Sequence, residues 1–417
     1  MALPSAFAGV LVNDSSLWSD FTAICDCGGR VAGTASERSA LDLVARLGAA
    51  ATGSRADVTP VPYDGWTCRS ASLELIEADK RVPLDCVALL KSRAGSVEAE
   101  VLPVGRGTEA EFVAAADRLK GRIALVCHEY MFAAGHVHRR EKYAWAHQYG
   151  AVGFLIAGPL ARSPVAGGAG PELLALGISP EAAARLSSTR GRLNWASLSV
   201  DADHVLAKTE TLRFVMAGRS PERVVLSAHV DGHSLAESAI DNATGVAVAL
   251  AVARCLAPHV HIARRGLDLM FFSAEEWALT GSEVWLGGLS QAERANIAVN
   301  INLDSVGGGR ELTALTSGFP GLEPLVRQAT APIGIHVPLV NNSDHANFAA
   351  HGIPALRLVA DFNNPASELR HVLTAADTRD KVTRTDLLTA ALATAELVWT
   401  AMNAPQDEVA GWRYKPD

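Results

Sequence analysis

Four short, mostly apolar runs punctuate the C-terminal half of the chain: Arg223–Ala228, Leu267–Ser273, Ala298–Leu303 and Ala355–Val359. Between and after them, apolar residues recur at helical spacing over Ala243–Leu256, Leu279–Leu286, Pro324–Ala329, Asp344–Ala350 and Arg384–Met402. Uninterrupted apolar runs predict strands buried on both faces, and their alternation with helices predicts a mostly parallel sheet with helices on each side. The fold class expected is therefore α/β. Residues 14–53 read as helical: Thr34 and Glu37 fit a capping box, and Leu41, Val44 and Leu47 follow at helical spacing. Ala56–Tyr63 reads as a strand.

From about Ser70 to Phe214 the texture differs. Alternating segments such as Ser72–Glu77, Glu98–Val104 and Arg122–Cys127 predict strands, with helices at Glu109–Leu119 and Arg139–Tyr149 and a buried strand at Ala151–Ala157. This text predicts a β-rich module inserted into the α/β domain. The division expected is 1–78 with 213–417 for the main domain and 79–212 for the insert.

Composition narrows the possibilities. A length of 417 residues accommodates two or three domains, and a formal charge of −8 argues against a nucleic-acid partner. The longest helical candidate, Gly245–Ala257, is too short to span a bilayer and carries Arg254. Met1–Ala8 has no basic residue ahead of its apolar stretch, so a secretory signal is not expected and the chain reads as cytoplasmic. The six cysteines form no C-x-x-C pair and read as reduced structural thiols. A homo-oligomer is compatible with all of this.

The candidate chemistry lies at the ends of the apolar runs. His229 and Asp231 follow the first, Asp241 opens the next helix, Glu275 and Glu276 follow the second run, and Asp304 follows the third. In α/β sheets, ligands bind outside the C-terminal ends of the strands. Buried carboxylates need a partner, and a metal ion is the economical one. With two ions, a bridging water becomes acidic and a carbonyl is polarised. In an extended segment, Asp231 is placed to accept the second ring N–H of His229 and fix its tautomer. Adjacent Glu275 and Glu276 diverge, so one can bind metal while the other faces substrate as a base. His128-Glu129-Tyr130-Met131-Phe132 lacks the second histidine of H-E-x-x-H, and His136, His138 and His147 read as a solvated face of the insert.

The order His-x-Asp, Asp-Asn-x-x-Gly, Ala-Glu-Glu and Asn-Leu-Asp continues with Ser343-Asp344-His345-Ala346-Asn347-Phe348, Gly352-Ile353-Pro354-Ala355 and Asp377-Thr378-Arg379-Asp380-Lys381-Val382. This series resembles the M28 family of di-zinc aminopeptidases and carboxypeptidases, and the insert resembles the protease-associated domain found in many members. The resemblance implies one zinc on His229, Asp241 and Asp304, a second on Asp241, Glu276 and a C-terminal histidine, and Glu275 as general base. It implies removal of an N-terminal amino acid from a short peptide or aminoacyl metabolite. The family's last histidine sits four residues before the Asp-Thr aspartate, where this chain has Leu373. His371, two residues earlier, is the expected substitute. Two zinc ions follow, or one if His371 falls short; in that case a binding protein or an acyl-transfer or cyclising enzyme is the alternative. His351 and His345 are fallback ligands, with His345 expected to line the substrate pocket.

Overall fold

The computed structural model describes residues 5–78, 80–187 and 192–414. Met1–Pro4, on which part of the N-terminal reading rests, lie outside them. The chain forms two compact units, one of residues 1–63, 208–372 and 377–417, the other of 64–207 and 373–376. The chain crosses at Tyr63/Asp64 and Ala207/Lys208, where 78/79 and 212/213 were expected, and again on either side of residues 373–376. The first two crossings lie inside two long strands, Asp57–Glu77 and Trp195–Met216, so strand text alone could not mark them.

The larger unit is built on a mixed sheet. Its centre holds Ala355–Ala360, Ile297–Leu303, Arg223–His229 and Gly266–Phe272, side by side and parallel. Residues 212–216 close one edge antiparallel, and Leu312–Leu315 lies antiparallel to Ala355–Ala360 on the other side, followed by Gly334–His336. The four expected strands are the central four. The added edge strands of four and three residues are too short to carry a readable period.

Alternate side chains of the central strands point to opposite faces. On one face Val225, Met270 and Phe272 pack with Trp285 of helix Thr280–Gly288 and Phe348 of helix His345–Ala350. Phe348 lies 6.2 Å from Phe272 and 6.0 Å from Trp285, ring centre to ring centre. On the other face Phe271 meets Phe214, and helix Ala35–Thr52 brings Gly48 so close to Phe214 that an added Cβ would fall 2.3 Å from its ring. Both faces are therefore covered by helices, as buried parallel strands require.

Helix Thr244–Leu256 is buried along nearly all its length. With its flanking π and 3-10 turns, Ala239–Ile262 is long and apolar enough by composition to cross a membrane, longer than the expected Gly245–Ala257, but two-thirds of its apolar 18-residue window is buried within the protein. It serves as a core helix. The Thr34 hydroxyl caps helix Ala35–Thr52 through the Glu37 N–H, but the Glu37 carboxylate does not complete the expected capping box. It accepts instead from the Gly33 N–H and the hydroxyls of Thr209 and Ser273.

The smaller unit is less alternating than its sequence suggests. Gly95–Pro103, Ile123–Cys127, Gly153–Ala157 and Leu174–Ile178 run parallel, with antiparallel edges supplied by residues 195–200 and Cys86–Ala88. Helices Glu109–Leu119, Arg139–Gln148 and Pro180–Leu186 accompany them. His136 and His138 are half-buried and His147 is exposed; the His138 Nδ1 accepts from the Arg140 N–H, 3.2 Å away, and caps Arg139–Gln148. All six cysteines are free.

Phe348→Ala removes a ring from the three-aromatic cluster and is expected to cost about 3–5 kcal/mol, read from the shift in a denaturant unfolding curve. A cost below about 1 kcal/mol would mean that this face is not the packed core described.

Candidate metal centre

The parallel strands end at one edge of the sheet, and the candidate residues emerge there. His229 is the last residue of Arg223–His229, Asp304 follows Ile297–Leu303 directly, and Glu275 lies three residues past Gly266–Phe272. Ala274, in the left-handed region at φ 55°, turns the chain ahead of the glutamate pair.

Among the described residues, two groups of ligand-type side chains result. His229, Glu275 and Asp304 form one, and His233, Asp241 and Glu276 the other; in each, the donor atoms lie within 4.8 Å of one another. That is the scale of ligands held at about 2.0–2.2 Å from a common ion. His229 Nε2 lies 3.1 Å from Asp241 Oδ1 and 3.7 Å from Asp304 Oδ1, and one ring N–H cannot serve both carboxylates. Asp241 thus faces the first group while belonging to the second. His233 Nε2 lies 2.5 Å from Glu276 Oε1.

Charge is the dominant feature. Burial pushes the Glu275 carboxyl well above its ordinary range; the His229 charge opposes this, while Glu276 and Asp344 add to it. Burial also lifts Asp344 and Asp377 to about 7. Burial alone would lower His229, but the Glu275 charge and the carboxylates of Asp231, Asp241 and Asp304 outweigh it and hold the imidazole well above its usual value. Asp304 is held below the ordinary carboxylate range because Arg357 and His229 override its desolvation. So many acids around so few cations make a buried site short of positive charge. Carboxylate and imidazole donors in this number suit zinc, so the residues present fit the implied metal.

Neighbouring groups fix the donors. The Asp231 carboxylate does not pair primarily with His229: Nδ1 is 3.7 Å from that carboxylate but 3.1 Å from the Asp231 backbone carbonyl. The carboxylate instead accepts the N–H groups of Glu275 and Glu276, both at 3.1 Å, aligning the glutamate pair. Asn242, after the cis peptide Asp241–Asn242, donates to the Leu303 carbonyl at 2.8 Å and accepts from the N–H groups of Gly245 and Ser305. A Cβ at Gly245 would sit 2.4 Å from Asn242 Oδ1, which explains the glycine of Asp-Asn-x-x-Gly. Asp377 accepts from the N–H groups of Ile240 and Asp241.

The remaining candidates lie elsewhere. His371 belongs to neither group among the described residues; it lies 3.0 Å from Glu368 on the turn Glu368–His371. Leu373 falls among residues 373–376, which group with the smaller unit. His351 lies 3.5 Å from Glu283. His345 is fully buried and, through desolvation and the charge of Arg357, lowered to about 3, so it stays neutral near Asp304. The residue that sequence reasoning missed is His233. Its signal was present, since His229, Asp231 and His233 alternate at i, i+2 and i+4.

Residues 213–398 match the model of Peptidase family M28. Leupeptin-inactivating enzyme 1 of Streptomyces exfoliatus is 29% identical over 163 residues, 36% of each chain. This chain thus spans about a third of the length of the curated relatives it matches. Among solved structures, the Peptidase M28 precursor of Shewanella amazonensis SB2B superposes with a TM-score of 0.79 at 20% identity, covering 99% of this chain and 98% of that one. BSAP, a zinc aminopeptidase from Bacillus subtilis, does so with a TM-score of 0.70 at 22% identity, covering 94% and 95%. Those two likenesses concern the fold. Residues 213–398, the stretch similar to the Peptidase family M28 model, carry all six side chains of the paired groups.

Proposed function

We propose that the protein is a metal-dependent hydrolase of amide bonds that removes the N-terminal residue from a short peptide or aminoacyl metabolite, with two zinc ions as cofactor. The observation that carries this reading is the pair of adjacent, buried donor groups sharing Asp241 at the C-terminal edge of a parallel sheet. The family match and the descriptions of the relatives, a leupeptin-inactivating enzyme and a zinc aminopeptidase, support it. The smaller unit, a largely parallel sheet with accompanying helices, is read as a protease-associated-type module.

His229, Asp241 and Asp304 would hold one ion; Asp241, Glu276 and a histidine would hold the other. Bound there, the ions supply Lewis-acid polarisation of a carbonyl and an acidified water. Glu275 then has the role of base. Its carboxylate is aimed into the cluster, its neighbour Glu276 is turned to the second group, and its backbone is pinned by Asp231. It takes a proton from water and returns it to the leaving amine. Arg357, bonded to the Asp304 carbonyl and 3.2 Å from its carboxylate, keeps that ligand ionised. His345 is buried and neutral beside this group, which suits a wall of the substrate pocket rather than a metal ligand.

The direct test is release of free amino acid from aminoacyl-anilides and short peptides by the zinc-loaded protein. No release across a broad panel from protein containing two equivalents of zinc would contradict the reading and favour a binding role. Glu275→Gln is expected to keep both ions and lose about 10²–10⁴-fold in kcat; loss of an ion together with activity would make Glu275 a ligand instead of a base. Asn242→Ala, which frees the Asp241 turn from Leu303 and Ser305, is expected to weaken zinc binding by about 10–100-fold, the usual scale for an outer partner of a ligand. Unaltered affinity in a zinc titration would show that the turn holds without it.

A further inference from the structure

The second ion needs a histidine, and the two candidates are set apart by their surroundings. His371 is tied to Glu368, whereas His233 is buried against Glu276 and Asp241. We propose that His233 is the histidine of the second metal site and that Arg30, from the N-terminal segment, is the positioning residue that holds it there. The proposal rests on the di-metal reading above.

His233 sits on the loop 230–238, which has no regular secondary structure until its end. An irregular loop positions a ligand only if its backbone groups are bound elsewhere. Arg30 provides that binding. Its guanidinium is fully buried and spends its donors on carbonyls: Nε to Val230 at 2.7 Å, Nη1 to Glu237 at 2.6 Å and Gly28 at 2.9 Å, and Nη2 to Ser238 at 2.8 Å. Both ends of the His233 loop are thus fastened to one rigid, planar fork, which a lysine could not imitate. The Arg30 carbonyl in turn accepts the Gly232 N–H at 3.2 Å.

Contacts around the histidine tighten the hold. The His233 N–H donates to the Ser238 hydroxyl at 2.8 Å, closing the loop on itself. A Cβ on Gly29 would lie 1.9 Å from the His233 carbonyl oxygen, so Gly29-Arg30 packs backbone to backbone against the ligand residue. On the far side the Glu237 carboxylate accepts from Arg379 through both its backbone N–H and its guanidinium. The segment Asp377-Thr378-Arg379, which in the family's pattern follows the zinc histidine, here braces the loop carrying His233 and, through Asp377, the backbone of Asp241. Both imidazoles of the metal centre then come from one five-residue stretch, His229-Val230-Asp231-Gly232-His233.

The test is zinc stoichiometry and affinity of the full chain by equilibrium dialysis with metal analysis, on wild type, His233→Ala, His371→Ala, Arg30→Lys and Ser238→Ala. Wild type is expected to hold two equivalents, His371→Ala two, and His233→Ala one. Arg30→Lys keeps the charge but not the fork and is expected to weaken the second equivalent at least about tenfold while leaving the first tight; Ser238→Ala does the same more mildly. The selective loss is the deciding readout, because general destabilisation would weaken both ions together. If Arg30→Lys does not fold, Ser238→Ala decides the role of the loop. Loss of an equivalent in His371→Ala with none lost in His233→Ala overturns the ligand assignment, and second-site affinity unchanged in both loop variants overturns the positioning role. Wild type binding no zinc overturns both this proposal and the hydrolase reading, whereas two tight ions without turnover overturn only the latter.

Discussion

The structure turns on an electrostatic shortage. Along one edge of a parallel sheet, buried carboxylates crowd around two imidazoles and the guanidinium of Arg357, and burial, reinforced by neighbouring carboxylates, lifts Glu275, Asp344 and Asp377 above their ordinary range. Keeping so many acids charged away from water without compensating cations is costly. On the function proposed, divalent ions would remove the shortage and give the arrangement its chemistry. The sheet serves to bring the donors together: strands whose side chains are buried on both faces fix where His229, Glu275 and Asp304 emerge.

Holding the donors is the task of polar groups that never touch an ion in this account. Asn242 ties the Asp241 turn to the end of the strand that leads into Asp304. Asp231 aligns two consecutive glutamates by their backbones, and Asp377 does the same for Ile240 and Asp241. Buried networks of this kind confer precision when every member is satisfied. A second ladder, Asn300 to Ser227 to Asn302 to Ser343, crosses the central strands and ends next to Asp344 and His345. It explains why polar residues interrupt strands that otherwise read as apolar.

Much of this was legible in the sequence because it obeys short-range rules. Central strands and long helices followed from apolar runs and helical spacing, and the strand-end acids followed from the rule for ligand sites in α/β sheets. What escaped was non-local. His233 lies outside the His-x-Asp pattern, and its grouping with Asp241 and Glu276 depends on a loop whose carbonyls bind Arg30, some two hundred positions earlier in the chain. Glu37 read as a helix cap because nothing local shows the hydroxyls of Thr209 and Ser273 converging on it. Asp231 was assigned to the imidazole of His229, while its carboxylate went to the backbone of residues 44 and 45 positions away. The resemblance makes His371 the expected ligand, and the turn that carries it places it beside Glu368.

The central claim is that these side chains cage two neighbouring cations. Anomalous scattering from zinc-soaked crystals tests it without reference to turnover. The account predicts two peaks about 3.5–4 Å apart, one against His229 and Asp304, the other against Glu276 and His233, with Asp241 between them. No peak at this edge of the sheet, or a single peak bounded by other residues, would contradict it.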